Sequence, residues 1–150
     1  MKISETQRAQ KRLQRLGIRP SIQRIAVMSF LMKNPIHPTI DTIFGELRKQ
    51  IPTLSKMTVY NTVKTLSEAG AIQTVFIDEK NLRYDADTEQ HAHFRCNICG
   101  TVSDLPIKKL RVNVDHGEKL LITELHLYYK GLCRTCKKQN KTLLLTHKKN

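Results

Sequence analysis

The chain has 150 residues, enough for one domain of ordinary size or two small ones. Its 26 Lys and Arg outweigh 13 Asp and Glu, giving a formal charge of +13, which makes nucleic acid the leading class of partner. No apolar run approaches the roughly 20 residues of a membrane span, and "MKISETQRAQKR" lacks the apolar middle of a signal peptide, so no membrane role and a cytoplasmic location are expected.

From the N-terminus, "SETQ" (Ser4 to Gln7) has the form of a capping box opening a basic helix that runs to about Leu16 and stops near Gly17. Ser21 can cap a second helix carrying Ile22, Ile25, Ala26, Met28 and Met32. "NPIHPT" breaks it, because each proline disfavours helix in the residue before it. Ile40, Ile43, Phe44, Leu47 and Ile51 give a third helix its apolar face, closed by Pro52. Ser55 caps a fourth, "KMTVYNTVKTLSEAG", which ends at Gly70. From Ala71 the period shortens: "AIQTVFI" and "LRYD" flank the turn-prone "DEKN" and predict a hairpin. Helices followed by a two-stranded hairpin are the order of a winged helix-turn-helix, whose last helix enters the major groove. Split after Arg83, the first part has 14 basic and 6 acidic residues (+8) and the remainder 12 and 7 (+5), so both halves are basic.

Past "DADTEQ" the chain reads as strand-rich: "HAHFRC", "TVSDL" and "LLITELHLYY", with "IKKLRVNV" between as helix or strand and a basic, mobile tail "KKQNKTLLLTHKKN". The expected class is therefore α+β, a winged-helix domain over residues 1–84 and a second, metal-binding domain over 85–150, with a hinge near 84–90.

Cys96, Cys99, Cys133 and Cys136 form two CxxC pairs. In a reducing compartment they read as a tetrahedral structural zinc site, with Zn–S about 2.3 Å, in preference to disulfides or a redox pair, for which one CxxC suffices. The 33 residues between the pairs mean that zinc staples the ends of a whole subdomain. His91 and His93 are two apart, so in a strand both face one side and can converge on a single ion. Paired surface histidines are the competing reading, against which stand two nearby carboxylates, Asp85 and Asp104.

With these residues assembled, "RPSIQRIAVMSFL", "HPTIDTIFGEL", "SKMTVYNTVKTLSEAGAI", "RYD", "HAHFRCNICG", "VSDL" and "YYKGLCRTC" resemble the ferric uptake regulator (Fur) family of metal-dependent repressors over nearly the whole chain. Asp104 and Asn61, where iron regulators more often carry Glu and Arg, make it most like the peroxide-sensing PerR branch. The resemblance implies a homodimeric repressor on a palindromic double-stranded operator, with the second domain used for dimerisation. It further implies a regulatory metal held by His37, Asp85, His91, His93 and Asp104, so that His37 reaches across from the DNA-binding half. Three imidazoles and two carboxylates without a thiolate suit Fe(II) or Mn(II), and affinity should fall on acidification through the ordinary histidine range near about pH 6.5. Peroxide acting on the Fe(II) form would oxidise His37 or His91, release the metal and end repression; Mn(II) would support DNA binding without that chemistry.

On the fourth helix, Ser55, Lys56, Thr58, Tyr60, Asn61, Thr62 and Lys64 are the expected DNA contacts. Tyr60 would meet a thymine methyl and Asn61 an adenine, the hydroxyls and lysines phosphates, while Val59, Val63 and Leu66 belong to the core. Arg19 resembles the family's minor-groove or backbone contact. Two features depart from the family's pattern: Ala92 replaces an acidic residue of a further metal site that would include His126, and the segment 111–122 is short for the dimerisation region, with no role for His116. Three alternatives stand beside the leading one: an iron- or zinc-uptake regulator without peroxide sensing, a metal-dependent enzyme using the open coordination site, and a zinc-ribbon nucleic-acid binder that senses nothing. The chain shows no nucleophile motif and no base outside the ligand set, which argues against the enzyme.

Overall fold

The computed structural model describes residues 3–108 and 120–139, arranged as two compact units, Met1–Glu89 and Gln90–Asn150. Most of the 111–122 segment, with His116, and the tail beyond residue 139 lie outside the described residues, as does most of "IKKLRVNV".

In the first unit, α1 (Glu5–Arg15) opens on the expected capping box: the Ser4 hydroxyl accepts from the Gln7 N–H and the Gln7 side chain accepts from the Ser4 N–H. Ser21 caps α2 (Ile22–Lys33) by accepting from Arg24 N–H. Its inward face is Val27, Met28 and Leu31; Ile22, on the first turn, is 75% exposed instead of packing with Ile25 and Ala26. Helix α3 (Ile40–Arg48), capped by Thr39, ends before Pro52, and Ile51 joins the core through a turn in which its N–H bonds Leu47 O. Ser55 caps α4 (Lys56–Glu68). Past its end, Gly70 takes φ +67°, letting Gly70 and Ala71 return their N–H groups to Ser67 and Leu66, a left-handed stop for which glycine is suited.

The hairpin follows. Strand β1 (Gln73–Val75) pairs antiparallel with β2 (Arg83–Asp85), in the register Gln73 to Asp85 and Val75 to Arg83. Four helices and this wing close over a core that includes Leu13, Met28, Ile43, Val59, Val63 and Leu66. At about 1.5–3 kcal/mol per fully buried large aliphatic side chain, that cluster is the unit's main source of stability.

In the second unit, β3 (Ala92–Cys96) lies between β4 (Val102–Leu105), antiparallel to it, and β5 (Tyr128–Gly131), parallel to it. The strand expected over "LLITELHLYY" is thus confined to its end. Residues 120–127 carry no regular structure, and Leu120, Leu121, Ile122 and Leu125 are exposed. A short helix, α5 (Arg134–Gln139), takes in Lys137 to Gln139, which the sequence had suggested were part of a mobile tail. It begins where Lys137 N–H bonds Cys133 O.

Among the described residues, no helix is long and apolar enough to cross a membrane.

Candidate metal centres and nucleic-acid interface

The register of β3 with β5 sets Cys96 beside Gly131, so each CxxC follows directly from one of two adjacent strands. The first pair sits in a turn held by Gly100 N–H to Cys96 O and Cys96 N–H to Thr101 O, both 3.0 Å, with Gly100 at φ +71°. The second follows β5, where Cys133 N–H donates to Cys96 Sγ at 3.4 Å and Cys136 N–H to Cys133 Sγ at 3.5 Å. All four sulfurs lie within 4.8 Å of one another, and Cys99 Sγ is 3.7 Å from Cys133 Sγ. Thiolates on a tetrahedral zinc at about 2.3 Å stand about 3.8 Å apart, so the geometry fits.

The acidities agree with this. Backbone N–H donors, that of Cys133 foremost, lower the Cys96 thiol to about 6, and the Thr101 hydroxyl lowers Cys99. The neighbouring Cys133 sulfur, then burial, push Cys136 up to about 12. Four thiols this close cannot all ionise without a cation between them, and a divalent ion that prefers sulfur supplies it. The cluster suits a structural zinc ion.

The second set of sequence-derived ligands is divided between the units, and each half has its own geometry. In Gln90–Asn150, His91, just ahead of β3, and His93, on it, bring their Nε2 atoms to 3.1 Å of each other. The cross-strand pairing of His93 with Asp104 brings Asp104 Oδ1 to 3.1 Å from His91 Nε2 and 3.6 Å from His93 Nε2. Ligands at right angles around an ion bound at about 2.1 Å stand about 3 Å apart, which matches this trio.

In Met1–Glu89, His37 Nε2 lies 3.5 Å from Asp85 Oδ2. Both residues are buried, 1% and 4% exposed, where an ionisable pair is normally kept only with strong partners or a metal. Asp85 is oriented by the Asp87 N–H, 2.8 Å from Oδ1, and by Gln73 Nε2, 3.5 Å from Oδ2, while Gln73 also bonds Asp87 O. Nearby, Arg12 donates to Ala86 O at 2.7 Å, and burial lowers its pKa from the ordinary arginine value.

His37 stands at φ +51°, the only non-glycine residue with positive φ among those described. Histidine is one of the few side chains enriched in that region.

Helix α4 sorts the expected DNA contacts. Ser55, Lys56, Asn61 and Lys64 are exposed, Thr58 is half-buried and Tyr60 is 49% exposed. Thr62 is a correction: only 5% exposed, it falls on the same face as Val59, Val63 and Leu66, so its hydroxyl is directed into the unit. The 3.6-residue period that places Val59 and Val63 inside places Thr62 with them. Ser55 and Thr58 bond each other at 2.8 Å while capping the helix. Lys56 Nζ lies 2.5 Å from Asp41, and Lys64 Nζ 3.9 Å from Glu68. Arg19 is exposed, and its carbonyl accepts from Arg24 at 2.8 Å.

Sequence reasoning missed Met57. It is 65% exposed and shares a helix stripe with Tyr60, Asn61 and Lys64, at i, i+3, i+4 and i+7. It also lines a groove of about 450 Å³ with Tyr60, Lys80, Leu82 and Tyr84. The signal was available: an apolar residue on the stripe opposite the core.

His126 Nε2 lies 3.0 Å from Glu124 and its Nδ1 3.1 Å from the Tyr128 hydroxyl.

The model of the ferric uptake regulator family matches residues 15–129. The peroxide operon regulator of Bacillus subtilis (strain 168) is 30% identical over 145 residues, spanning 93% of this chain and 98% of that protein. The crystal structure of the Campylobacter jejuni peroxide stress regulator superposes with a TM-score of 0.62 at 27% identity, covering 89% of this chain and all of that one. A zinc-bound manganese uptake regulator superposes at 0.63 and 26% identity, covering 83% and 98%.

Proposed function

The chain belongs to the ferric uptake regulator family, and on that premise we propose that it is a homodimeric, metal-dependent transcriptional repressor whose hold on its DNA operator is ended by peroxide. Structural zinc is held by Cys96, Cys99, Cys133 and Cys136. Fe(II) or Mn(II) serves as corepressor at His37, Asp85, His91, His93 and Asp104.

The observation that carries this reading is the sorting of donors by type. Four thiolates gather in one cluster, while imidazoles and carboxylates gather in two sets that are each too small to fill a coordination shell. Asp85 and His91 have five residues between them, a reach of at most about 20 Å even fully extended, so one ion can take ligands from both sets. Binding there fixes the direction of the hinge at residues 84–90 and thereby the placement of two winged helices on a palindromic operator. The nitrogen- and oxygen-rich set suits Fe(II) and Mn(II), whereas sulfur suits zinc.

When bound, Fe(II) would activate peroxide beside an imidazole, one peroxide oxygen passing to a ring carbon and the other leaving as water, so that the imidazole is the group oxidised. His37 and His91 are the oxidation-sensitive ligands; oxygen insertion into either ring removes a nitrogen donor's affinity, the set loosens and the operator is released. The likeness to the B. subtilis and C. jejuni peroxide regulators supports this step. On the DNA side, Tyr60 and Met57 present apolar surface to thymine methyls, Asn61 reads a base edge, and Lys56, Lys64, Arg19, Ser55 and Thr58 hold the backbone. No turnover of a substrate is required of any residue, and the protein is a cytoplasmic regulator and not an enzyme.

The test is operator binding titrated with each metal, followed by peroxide. Release of the Fe(II) form alone, with a gain of about 16 Da on a tryptic peptide containing His37 or His91, is the expected outcome. Equal resistance of both forms would leave an uptake regulator, the second reading, favoured by the likeness to the zinc-bound manganese uptake regulator.

A further inference from the structure

Arg83 carries chemistry that the metal assignment does not use. It stands on β2 two residues before Asp85, and its side chain is only 20% exposed. Its guanidinium is divided between two acceptors. Nε and Nη2 donate to Asp78 Oδ2 at 3.2 and 2.9 Å, and Nη1 donates to the backbone carbonyl of His37 at 3.1 Å. Asp78, 7% exposed, also accepts the N–H of Lys80 at 3.2 Å, so it organises the wing turn. The next residue along completes the grip: Tyr84 N–H donates to Pro38 O at 3.1 Å.

These contacts converge on His37, the one non-glycine residue held at positive φ among those described. A left-handed conformation is unfavourable for a residue with a Cβ and persists only where neighbouring bonds dictate it. Here β2 supplies them, one to the carbonyl of His37 and one to that of Pro38. The peptide plane so fixed sets the direction in which the His37 ring leaves the chain.

We propose that Arg83 is a positioning residue for the regulatory metal: it holds the His37 backbone in its left-handed conformation and ties that ligand, through Asp78, to the turn of the wing. The inference rests on His37 being a metal ligand. Arginine is suited to the task because its planar fork reaches two acceptors in fixed directions, which a lysine ammonium cannot do. Groups that orient metal ligands typically alter affinity by roughly 10–100-fold.

The experiment uses the full-length, zinc-loaded dimer and measures Mn(II) affinity by electron paramagnetic resonance, with zinc content and melting temperature alongside. Arg83→Met should weaken Mn(II) binding by roughly 10–100-fold with zinc content unchanged. Arg83→Lys should recover the melting temperature, because the ion pair with Asp78 is restored, but not the Mn(II) affinity. Recovery of both by Arg83→Lys, or Mn(II) affinity within twofold of the parent in Arg83→Met, overturns the proposal. His37→Ala separates the two possible failures. If it abolishes Mn(II) binding while the Arg83 variants do not weaken it, the positioning role alone falls. If it too binds normally, the ligand assignment falls and the proposal with it.

Discussion

Among the described residues of Met1–Glu89, eighteen apolar side chains are buried, contributed by all four helices, both strands of the wing and the connections between them. Among the described residues of Gln90–Asn150, the buried apolar set is Ala92 and Val102 with two of the zinc-binding cysteines, Cys96 and Cys136. One unit is a hydrocarbon core of ordinary kind. The other is a three-stranded sheet whose strand ends are gathered by four thiolates, the staple that small domains need when their apolar area is insufficient. Stability and sensing are therefore distributed differently. On the proposed assignment, zinc on the four cysteines would take over the work of a core in the second unit, and the imidazole and carboxylate groups would be left to bind a second metal weakly and reversibly.

Removing the staple should give the largest effect. Structural zinc contributes on the order of 10–16 kcal/mol in small zinc domains, so Cys133→Ser, or a strong chelator, should unfold Gln90–Asn150 and abolish dimerisation while the four-helix unit keeps its circular dichroism. Survival of the β signal without zinc would break the contrast. The matching change in the other unit is Leu66→Ala, at a fully buried position. A loss of about 2–5 kcal/mol is expected from denaturant melting, with zinc content still one per chain.

Below these come the proposed ligands of the labile metal. Asp85→Ala should weaken Mn(II) by roughly 100-fold, about 2.7 kcal/mol, and remove metal-dependent operator binding with zinc content unchanged. Met57→Ala should cost roughly 1 kcal/mol in operator binding, and should erase the preference for thymine over uracil at one operator position, since only the 5-methyl group differs. Smallest is Lys56→Ala. Its pair with Asp41 is well exposed, so folding stability should change by less than about 1 kcal/mol, while the salt dependence of DNA binding loses roughly one phosphate contact.

The parts of the fold that could be read in advance are those governed by local chemistry. Ser4, Ser21 and Ser55 announce helix starts, and Gly70 a helix end, because each satisfies backbone groups within a few residues of itself. The zinc cluster was legible for the same reason, each CxxC being a self-contained turn. Long-range partners were not. The apolar run at 120–125 reads as a strand because nothing in its composition says that its side chains stay exposed. Thr62 was placed on the DNA face from its hydroxyl, when its helical phase decides otherwise. His37 between two prolines has no pattern at all and entered only through the family likeness, since its partners are 46 and 48 residues away on β2.

The left-handed backbone at His37 makes that residue subject to two independent requirements, one on its ring and one on its peptide. Substitutions there are not equivalent as controls. Asparagine also tolerates positive φ, so His37→Asn deletes the imidazole while sparing the loop. Valine at the same place adds a β-branched clash and would disturb the wing attachment together with the ligand. A series comparing asparagine, alanine and valine at this one position therefore measures separately what the metal and the loop each demand of it.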